Sequence, residues 1–368
     1  YSKGKDFNIN PPNRRFIDSN TVELLDEQDQ GPNKRLFLDA RMTAFDLGNF
    51  FNYFAAKADQ ASAKLNVLAS EQDMILAVKT SYYAYLAAAQ NLTVQEEAVK
   101  RAEEQLKLIQ SRYDLGSAAK SDVLKQKVQY GNDQLALLSA RNALTTARAN
   151  LAYTIGVDPR RDWKFSTEYV KREYDGTLDE AISFGLSHRP SLLANEKDVA
   201  AASHGVRSAL SKYLPTVGVF FDFTDFNGTQ AFPVVFDYSF NNYTYGFNIS
   251  LNIFDGFLRE RQVTAAKVQR NTARARLADL RNQTISDIQT IYLDIEQLKK
   301  QQQVAGENVD AATEDLRITQ ERYNLGAASI LDLLDAQVSL KEAQVARIRV
   351  DFDLNLKVAQ LEQAMGKM

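Results

Sequence analysis

Residues 112–116, Arg-Tyr-Asp-Leu-Gly, return 210 residues later as residues 322–326, Arg-Tyr-Asn-Leu-Gly. The same offset continues without a gap to Gly156 and Gly366, with 14 identities over 45 aligned positions. The chain is therefore a tandem duplication of one long unit. Two copies are too few for a solenoid, which needs about three repeats to bury a core. Each copy is expected to supply half of a larger closed object.

Both copies are predicted to be mostly helical. No proline lies between Pro32 and Pro159 or after Pro233, and proline is the residue that breaks helix interiors. Continuous helices are predicted over residues 49–113 and 256–323, each roughly 100 Å long at 1.5 Å per residue. The glycine of each repeated motif is expected to end its helix in the left-handed conformation. The next helices are predicted to begin near residues 121–122 and at Asp332.

The second long helix is predicted to pack as a coiled coil, because its apolar residues follow alternate spacings of three and four. These residues are Leu277, Leu280, Thr284, Ile288, Ile291, Ile295 and Leu298. Residues 348–358 alternate like a strand, whereas their counterparts in the first copy do not. Because the two copies should share a fold, both segments are predicted to be helical.

The clearest strand is predicted at residues 243–253, eleven residues in which apolar and small or polar side chains alternate. A strand facing the core of a sandwich can show this pattern. A tilted membrane-spanning β-strand has the same length and alternation, with its apolar side chains toward lipid. Residues 217–223 alternate in the same way and are the expected partner. The apolar face of residues 243–253 carries Tyr243, Tyr245, Phe247, Ile249, Leu251 and Ile253.

A second hairpin is predicted in the first copy, from residues 36–44 and a weakly marked strand within residues 3–17. The chain would then hold four strands in two hairpins. Four strands cannot close a barrel, and open sheet edges do not occur in lipid. If these strands lie in a membrane, several chains must share one barrel.

These elements divide the chain into six predicted segments of an α+β, mostly helical fold. Residues 1–47 hold the first β-hairpin, 48–157 the first helical hairpin, and 158–189 a mixed segment that is irregular over residues 158–187. A helix at 190–214 leads to the second β-hairpin at 215–254, and the second helical hairpin covers 255–368. The first copy lacks a counterpart of the 190–214 helix, so an N-terminal helix is expected to be missing.

Composition argues against several classes of function. With 44 basic and 47 acidic residues the formal charge is −3, and no clustered basic face suggests a nucleic-acid partner. The chain has no cysteine, which excludes disulfides and thiolate metal sites. His188 and His204 have no convergent acid cluster and are expected to be packing or surface residues. No catalytic set, phosphate loop or metal-spaced cluster is present, so neither an enzyme nor a cofactor is predicted.

Three motifs together resemble the TolC-type outer-membrane efflux protein family. The first is the repeated Arg-Tyr-x-Leu-Gly turn, followed by Asp-[Val/Leu]-Leu, at 112–124 and 322–334. The second is His-Arg-Pro-Ser-Leu-Leu-Ala at 188–194, which leads through an Ala-rich helix to Tyr-Leu-Pro at 213–215. The third is Leu-Asn-Ile-Phe-Asp-Gly at 251–256. Each motif is loose by itself, but their order spans nearly the whole chain.

The resemblance implies a homotrimer in the outer membrane, with a twelve-stranded β-barrel continued by an α-helical barrel in the periplasm. It implies a passive exit duct for drugs, metals or unfolded polypeptide. The implied partners are a periplasmic adaptor protein, an inner-membrane transporter and outer-membrane lipid, as in tripartite efflux or type I secretion. The alternative drawn from the residues alone is a soluble trimeric coiled-coil scaffold.

Asp332 and Asp335 are expected on one face of a helix, since they stand three residues apart. The resemblance implies that threefold symmetry arranges them as two carboxylate rings at a pore constriction, where such rings bind cations. The alternative is that they are acids complementing the N-terminal dipole of a helix. Asp335 aligns with Lys125 in the first copy, so the second ring has no internal counterpart.

The resemblance also implies that Tyr323 and Asp122 help to hold the tunnel closed. An arginine of the same set would fall at Ala328 in this chain, and Lys120 stands nearby in a different register. The closing contacts are therefore expected to differ from the family pattern. Alternatively, Tyr323 is a packed aromatic residue at the end of a helix.

The two turns are implied to be adaptor-docking tips, and small side chains there allow another backbone to approach closely. They can equally be simple helix ends and turns. The expected tip residues are Gly116, Ser117, Ala118, Gly326, Ala327 and Ala328. On the sheet, the expected lipid-facing residues are Tyr243, Tyr245, Phe247, Ile249 and Leu251.

Overall fold

The structure is a computed structural model, and it describes residues 14–18, 21–24, 34–168, 172–231 and 235–368. The chain divides into two compact units, Tyr1–Tyr53 with His204–Ala266, and Phe54–Ser203 with Lys267–Met368. The strands belong to the first unit and most of the helical residues to the second. The helices are α1 (Leu47–Asp114), α2 (Lys120–Thr154), α3 (Leu178–His188), α4 (Pro190–Ser211), α5 (Leu258–Asn324) and α6 (Ile330–Met365). The strands are β1 (Arg14–Asp18), β2 (Thr21–Leu24), β3 (Lys34–Phe45), β4 (Thr216–Ala231) and β5 (Val235–Ser250).

The two long helices predicted from the proline-free stretches are confirmed. α1 has 68 residues and α5 has 67, far above the mean of about 11–12 for globular proteins. α2 and α6 follow after short turns, so each copy carries two helices joined by a tight connection, and residues 348–358 are helical as predicted. The predicted coiled-coil seam is also buried at its centre, where Thr284, Ile288 and Ile295 have almost no exposed surface.

The mixed segment contains one helix that the sequence analysis did not predict. α3 begins with a capping box, in which the Thr177 hydroxyl accepts from the Glu180 N–H and the Glu180 carboxylate accepts from the Thr177 N–H. This pair satisfies two of the N–H groups that a helix N-terminus leaves free. α3 then packs on α6, where Ala181 is buried with Val358 and Leu361. The expectation of irregular chain is therefore wrong for residues 178–187.

The sheet of the first unit has three antiparallel strands in the order β3-β4-β5. β4 and β5 form the predicted hairpin, and its register pairs Val217 with Ile249 and Phe223 with Tyr243. β3 covers the predicted strand at 36–44 and pairs with β4, so that Leu38 lies opposite Phe223. The two copies thus join in one sheet through β3 and β4.

The first hairpin of the prediction is described only in part. β1 lies at the end of the range 3–17 that is expected to hold the partner of β3, and it pairs with β2 in a separate two-stranded sheet. Residues 3–13, which make up most of that range, lie outside the described residues, so a strand there that pairs with β3 stays a prediction. The pairing of β1 with β2 is local, since only two residues separate them and a connection of that length joins adjacent antiparallel strands.

The strand predicted at 243–253 ends earlier, at Ser250. Ser250 pairs with Thr216, so the next ladder position would place Leu251 opposite Pro215. Proline has no N–H to donate to a sheet ladder, and the pairing ends there. The Asp255 carboxylate then binds Arg259 at 2.9 Å, and Arg259 also donates to the Ile253 carbonyl at 3.0 Å. The placement of Leu251 and Ile253 within the strand is therefore wrong.

Candidate functional site

The two Arg-Tyr-x-Leu-Gly turns share one backbone geometry. Gly116 and Gly326 both have a φ of +76°, which is the left-handed region that glycine enters without a steric cost. In the first turn the Gly116 N–H donates to the Tyr113 carbonyl at 2.9 Å, and the next N–H donates to the Arg112 carbonyl at 2.8 Å. The second turn repeats both bonds around Gly326. This is the Schellman motif that ends many helices, and it supports the predicted helix ends.

Each turn presents a large apolar side chain to solvent. Leu115 is 84% exposed and Leu325 is 83% exposed, and each stands directly before the glycine of its turn. Only the small residues of these turns were predicted from the sequence as tip residues, and the two leucines were not. Both motifs have leucine directly before the glycine, and this repetition could have identified the two residues from the sequence. The predicted tip residues surround them and are exposed or half-buried: Gly116, Ser117, Ala118, Gly326, Ala327 and Ala328.

The tyrosines of the two motifs occupy different environments. Tyr323 is 8% exposed and packs in a cluster to which all four long helices contribute, among them Ile109 of α1 and Val123 of α2. Its counterpart Tyr113 is 37% exposed. The interpretation of Tyr323 as a packed aromatic residue at a helix end is thus confirmed, and its role in closing a tunnel stays a prediction. The repeat is therefore symmetric in its backbone and asymmetric in its burial.

Arg112 connects the ends of α1 and α5. Its Nη2 donates to Asn324 Oδ1 at 3.1 Å, and its guanidinium carbon lies 5.4 Å from the centre of the Tyr323 ring, within the range of a cation–π contact. Burial raises the pKa of Tyr323 and the charge of Asp122 raises it further, while Arg112 acts in the opposite direction. Asp122 and Tyr323 are therefore electrostatic neighbours. The sequence analysis did not single out Arg112.

Asp122 and Asp332 occupy equivalent positions in the two repeats but make different contacts at the N-termini of their helices. At α6, Ser329 is the N-cap, and its N–H and hydroxyl donate to Asp332 Oδ2 at 2.8 and 2.9 Å. At α2 the N-cap is Ala119, which has no side-chain cap hydrogen bond. The Asp122 carboxylate instead accepts from the hydroxyl of Ser121 at 3.3 Å.

Asp332 and Asp335 are both exposed on α6. The pKa of Asp332 lies below its usual value. The largest cause is the hydrogen bond from the Ser329 N–H, and the Ser329 hydroxyl and the charge of Arg322 add to it. Asp332 therefore completes a capping box, as its interpretation as an N-terminal acid expected. Asp335 has neither a hydrogen bond nor an ion pair with any residue that the structure describes. The carboxylate rings that these residues would form in a trimer stay a prediction.

The three-stranded sheet has one exposed apolar face. Directly paired residues of antiparallel strands lie on the same side of a sheet, so the register brings the apolar side chains of β3, β4 and β5 together. Leu251 follows the strand instead of belonging to it. The exposed members of this apolar face are Leu36, Leu38, Met42, Phe45, Phe221, Tyr243, Tyr245, Phe247 and Ile249.

The opposite face of the sheet is mixed. It carries charged and polar side chains, and Phe37, Phe220, Phe226 and Phe240 also lie on it. Asp39 lies directly across from Asp222, and Arg41 binds the two carboxylates at 2.9 and 3.7 Å. Asn248 lies on the same face, opposite Gly218. A sheet in water usually buries its apolar face and exposes its polar face. In this unit the apolar face is uncovered, and large uncovered apolar patches mark surfaces that contact protein or membrane.

Two other features are absent from the described ranges, a cluster of metal ligands and a membrane-spanning helix. No group of three or more His, Asp or Glu residues there could hold a metal ion. In the same part of the chain, no helix is both long and apolar enough to cross a membrane.

Comparison with known families gives a match over most of the chain. The sequence profile of the family described as "Outer membrane efflux protein" matches residues 38–157 and 181–367. The chain is 23% identical over 317 residues to the outer membrane efflux protein BepC of Brucella suis, covering 86% of this chain and 68% of that protein. It is 24% identical over 315 residues to the pyoverdine export outer membrane protein OpmQ of Pseudomonas putida, covering 85% of this chain and 64% of that protein.

Solved structures show the same fold. The outer membrane protein VceC of Vibrio cholerae superposes with a TM-score of 0.75 at 20% identity, covering 91% of this chain and 87% of that one. The Campylobacter jejuni CmeC outer membrane channel superposes with a TM-score of 0.73 at 14% identity, covering 91% and 77% of the two chains. The chain spans about two thirds of the length of the curated relatives named above.

Proposed function

Because the chain belongs to the outer membrane efflux protein family, we propose that it is the passive exit duct of an export system in the outer membrane. An inner-membrane transporter would drive the export, and a periplasmic adaptor protein would join that transporter to the duct. The observation that carries this proposal is the uncovered apolar face of the sheet, which suits lipid. The charged side chains of the sheet, Asp39, Arg41 and Asp222, lie on the other face, where a water-filled lumen would solvate them.

The sheet also supports a shared barrel. β3 has 12 residues, and β4 and β5 have 16 each, which exceeds the ~9–11 residues that a tilted strand needs to cross a bilayer. The outer edges of β3 and β5 have no strand partner among the described residues. Since open edges do not occur in lipid, we propose that neighbouring copies pair with these edges in a homotrimer. The count of twelve strands stays a prediction, because residues 1–13 and 25–33 are not described.

The helical unit would form the tunnel, and its two turns would meet the adaptor. Leu115 and Leu325 give each turn an exposed apolar side chain beside a glycine without a side chain, and this combination suits docking to an apolar groove of another protein. Asp332 and Asp335 would line the narrow part of the tunnel as carboxylate rings. Tyr323 and Asp122 would take part in closing it, together with contacts other than an arginine at Ala328.

The first test is the mass of the purified chain in detergent, measured by light scattering and corrected for bound detergent. A species of three times the 41.4 kDa chain mass is expected. A monomer that stays soluble without detergent would contradict the duct and favour the alternative of a coiled-coil scaffold.

The second test is conductance across a planar bilayer. Replacement of both Asp332 and Asp335 by alanine is expected to lower the preference for cations, because the proposed rings lose their charge. Asp353→Ala is a matched control, since this exposed aspartate lies farther along α6. An unchanged selectivity in the double variant would overturn the ring assignment and leave the duct itself in place.

A further inference from the structure

The contact between the two repeats within one chain predicts the contact between two chains. Arg112 of the first repeat donates to Asn324 Oδ1 at 3.1 Å and lies over the ring of Tyr323 in the second repeat. Each of these three residues belongs to the duplicated motif. In this contact the arginine of one motif binds the other motif at its tyrosine and at the residue that follows the tyrosine.

The same residue types are also present with the two repeats exchanged, so that the arginine belongs to the second repeat and the tyrosine to the first. Arg322 is the counterpart of Arg112, and Tyr113 with Asp114 is the counterpart of Tyr323 with Asn324. These three residues are exposed. Arg322 donates to the carbonyl of Ala327 within its own turn at 3.3 Å, and Asp114 accepts from a glutamine of its own helix at 2.8 Å.

In a closed ring of tandem repeats, the first repeat faces the second within a chain, and the second faces the first repeat of the next chain. A residue contact made within the chain can therefore recur between chains wherever the equivalent residues are present. We propose that Arg322 of one copy binds Asp114 and covers Tyr113 of the next copy. This contact would repeat the one that Arg112 makes with Asn324 and Tyr323 inside the chain. The occupant of this surface is therefore a second copy of the same chain, and the inference rests on the ring that the proposed function requires.

Charge complementarity supports the assignment. The contact within one chain, called internal, uses the neutral Asn324. The proposed contact between chains, called external, has the carboxylate of Asp114 in its place. A guanidinium–carboxylate pair forms a charge-assisted hydrogen bond, which is stronger than a bond to a neutral amide. Contact with Arg322 would give Tyr113 the cation–π partner that Tyr323 already has in Arg112. The external contacts at the helix ends would therefore be sensitive to salt, whereas the internal one would be less so.

Cysteine cross-linking can test this contact, and no native thiol can react with the linker because the chain has no cysteine. The pair Asp114→Cys and Arg322→Cys, joined by a short bis-methanethiosulfonate linker in the detergent-solubilised protein, is expected to yield chains linked to one another. The pair Arg112→Cys and Asn324→Cys is the matched control, and it should yield only an internal link that leaves the chain mass unchanged. Each single-cysteine variant should give neither product.

The results separate the inference from the proposed function. If light scattering shows a trimer but the external pair gives no linked chains, the inference is overturned and the duct stands. Links between chains from the control pair would overturn it as well. A monomer in detergent would overturn both. Asp114→Arg alone should lower the unfolding temperature of the detergent-solubilised trimer, and the exchanged variant Asp114→Arg with Arg322→Asp should restore it together with its sensitivity to salt, which distinguishes a direct contact from a folding defect.

Discussion

Lys341 of α6 and Asp133 of α2 form an ion pair of 2.7 Å that joins the two repeats. The Asp133 side chain is 6% exposed and the Lys341 side chain 20%. The second carboxylate oxygen of Asp133 accepts from Gln129 Nε2 at 3.2 Å. Both oxygens of this buried carboxylate are therefore satisfied. The equivalent of Lys341 in the first repeat is Gly131, so the sequence duplication does not duplicate this pair.

Replacement of Lys341 by alanine should destabilise the helical unit by about 2–3 kcal/mol, because it leaves a buried carboxylate without its cation. Lys357 is a matched control, since it forms a 2.8 Å pair with Asp294 that is about one third exposed on both sides. Lys357→Ala should cost less than about 1 kcal/mol. Thermal unfolding followed by circular dichroism measures both effects, and equal losses in the two variants would contradict the prediction.

Gly326→Ala should lower the stability of the turn after α5 by about 1–2 kcal/mol, because a side chain disfavours the left-handed conformation. A Cβ there would meet no atom within 4 Å, so crowding would not contribute. Gly131 is the control, because a Cβ there also meets no atom within 4 Å but the backbone is helical within α2. Gly131→Ala should raise the free energy of unfolding by about 0.5–1 kcal/mol. Opposite shifts in the unfolding temperature are expected, and shifts of the same sign would count against this explanation.

Ser329→Ala should destabilise the start of α6 by about 1 kcal/mol through loss of the cap. The folded state lowers the pKa of Asp332, so the stabilisation from its carboxylate is present above the unfolded pKa of about 3.9 and lost as pH falls through the folded pKa. Asp332→Asn should therefore be destabilising at pH 7 and neutral in strong acid.

Asp335→Asn is the control for this experiment, because it removes the same charge from the same exposed face without removing a cap. Unfolding is measured across the acid range for the wild type and both variants. A loss for Asp335→Asn equal to that for Asp332→Asn would point to general charge repulsion on α6 instead of the capping box.

Phe247→Arg should be far more damaging than Asn248→Arg, although the two residues are neighbours on β5 and both are exposed in the single chain. On the proposed lipid face an arginine costs about 2–4 kcal/mol at the bilayer midplane, whereas lumen positions tolerate charge. Denaturant unfolding in lipid vesicles measures the difference. A soluble scaffold would tolerate both substitutions equally, so equal stability would contradict the membrane assignment.

Several features could be predicted from the sequence because their causes are local. α1 and α5 follow from long stretches of helix-forming residues without proline, and their ends follow from a glycine that enters the left-handed region. The pairing of β4 with β5 follows from their matched alternation, whereas the register that places Val217 opposite Ile249 does not. Duplication strengthened the helix predictions, since a cause that acts locally acts in both copies.

The sequence by itself therefore determined the duplicated helical hairpins, their turns and the apolar face of the sheet. Only the tertiary structure decided that Tyr323 is buried while Tyr113 is exposed, that Arg112 crosses to the other repeat, and that pairing beyond Ser250 stops at Pro215. The physical reason is that these outcomes depend on which side chains become neighbours across the fold. Two copies with nearly the same local sequence meet different neighbours, and the neighbours set burial, charge pairing and strand length.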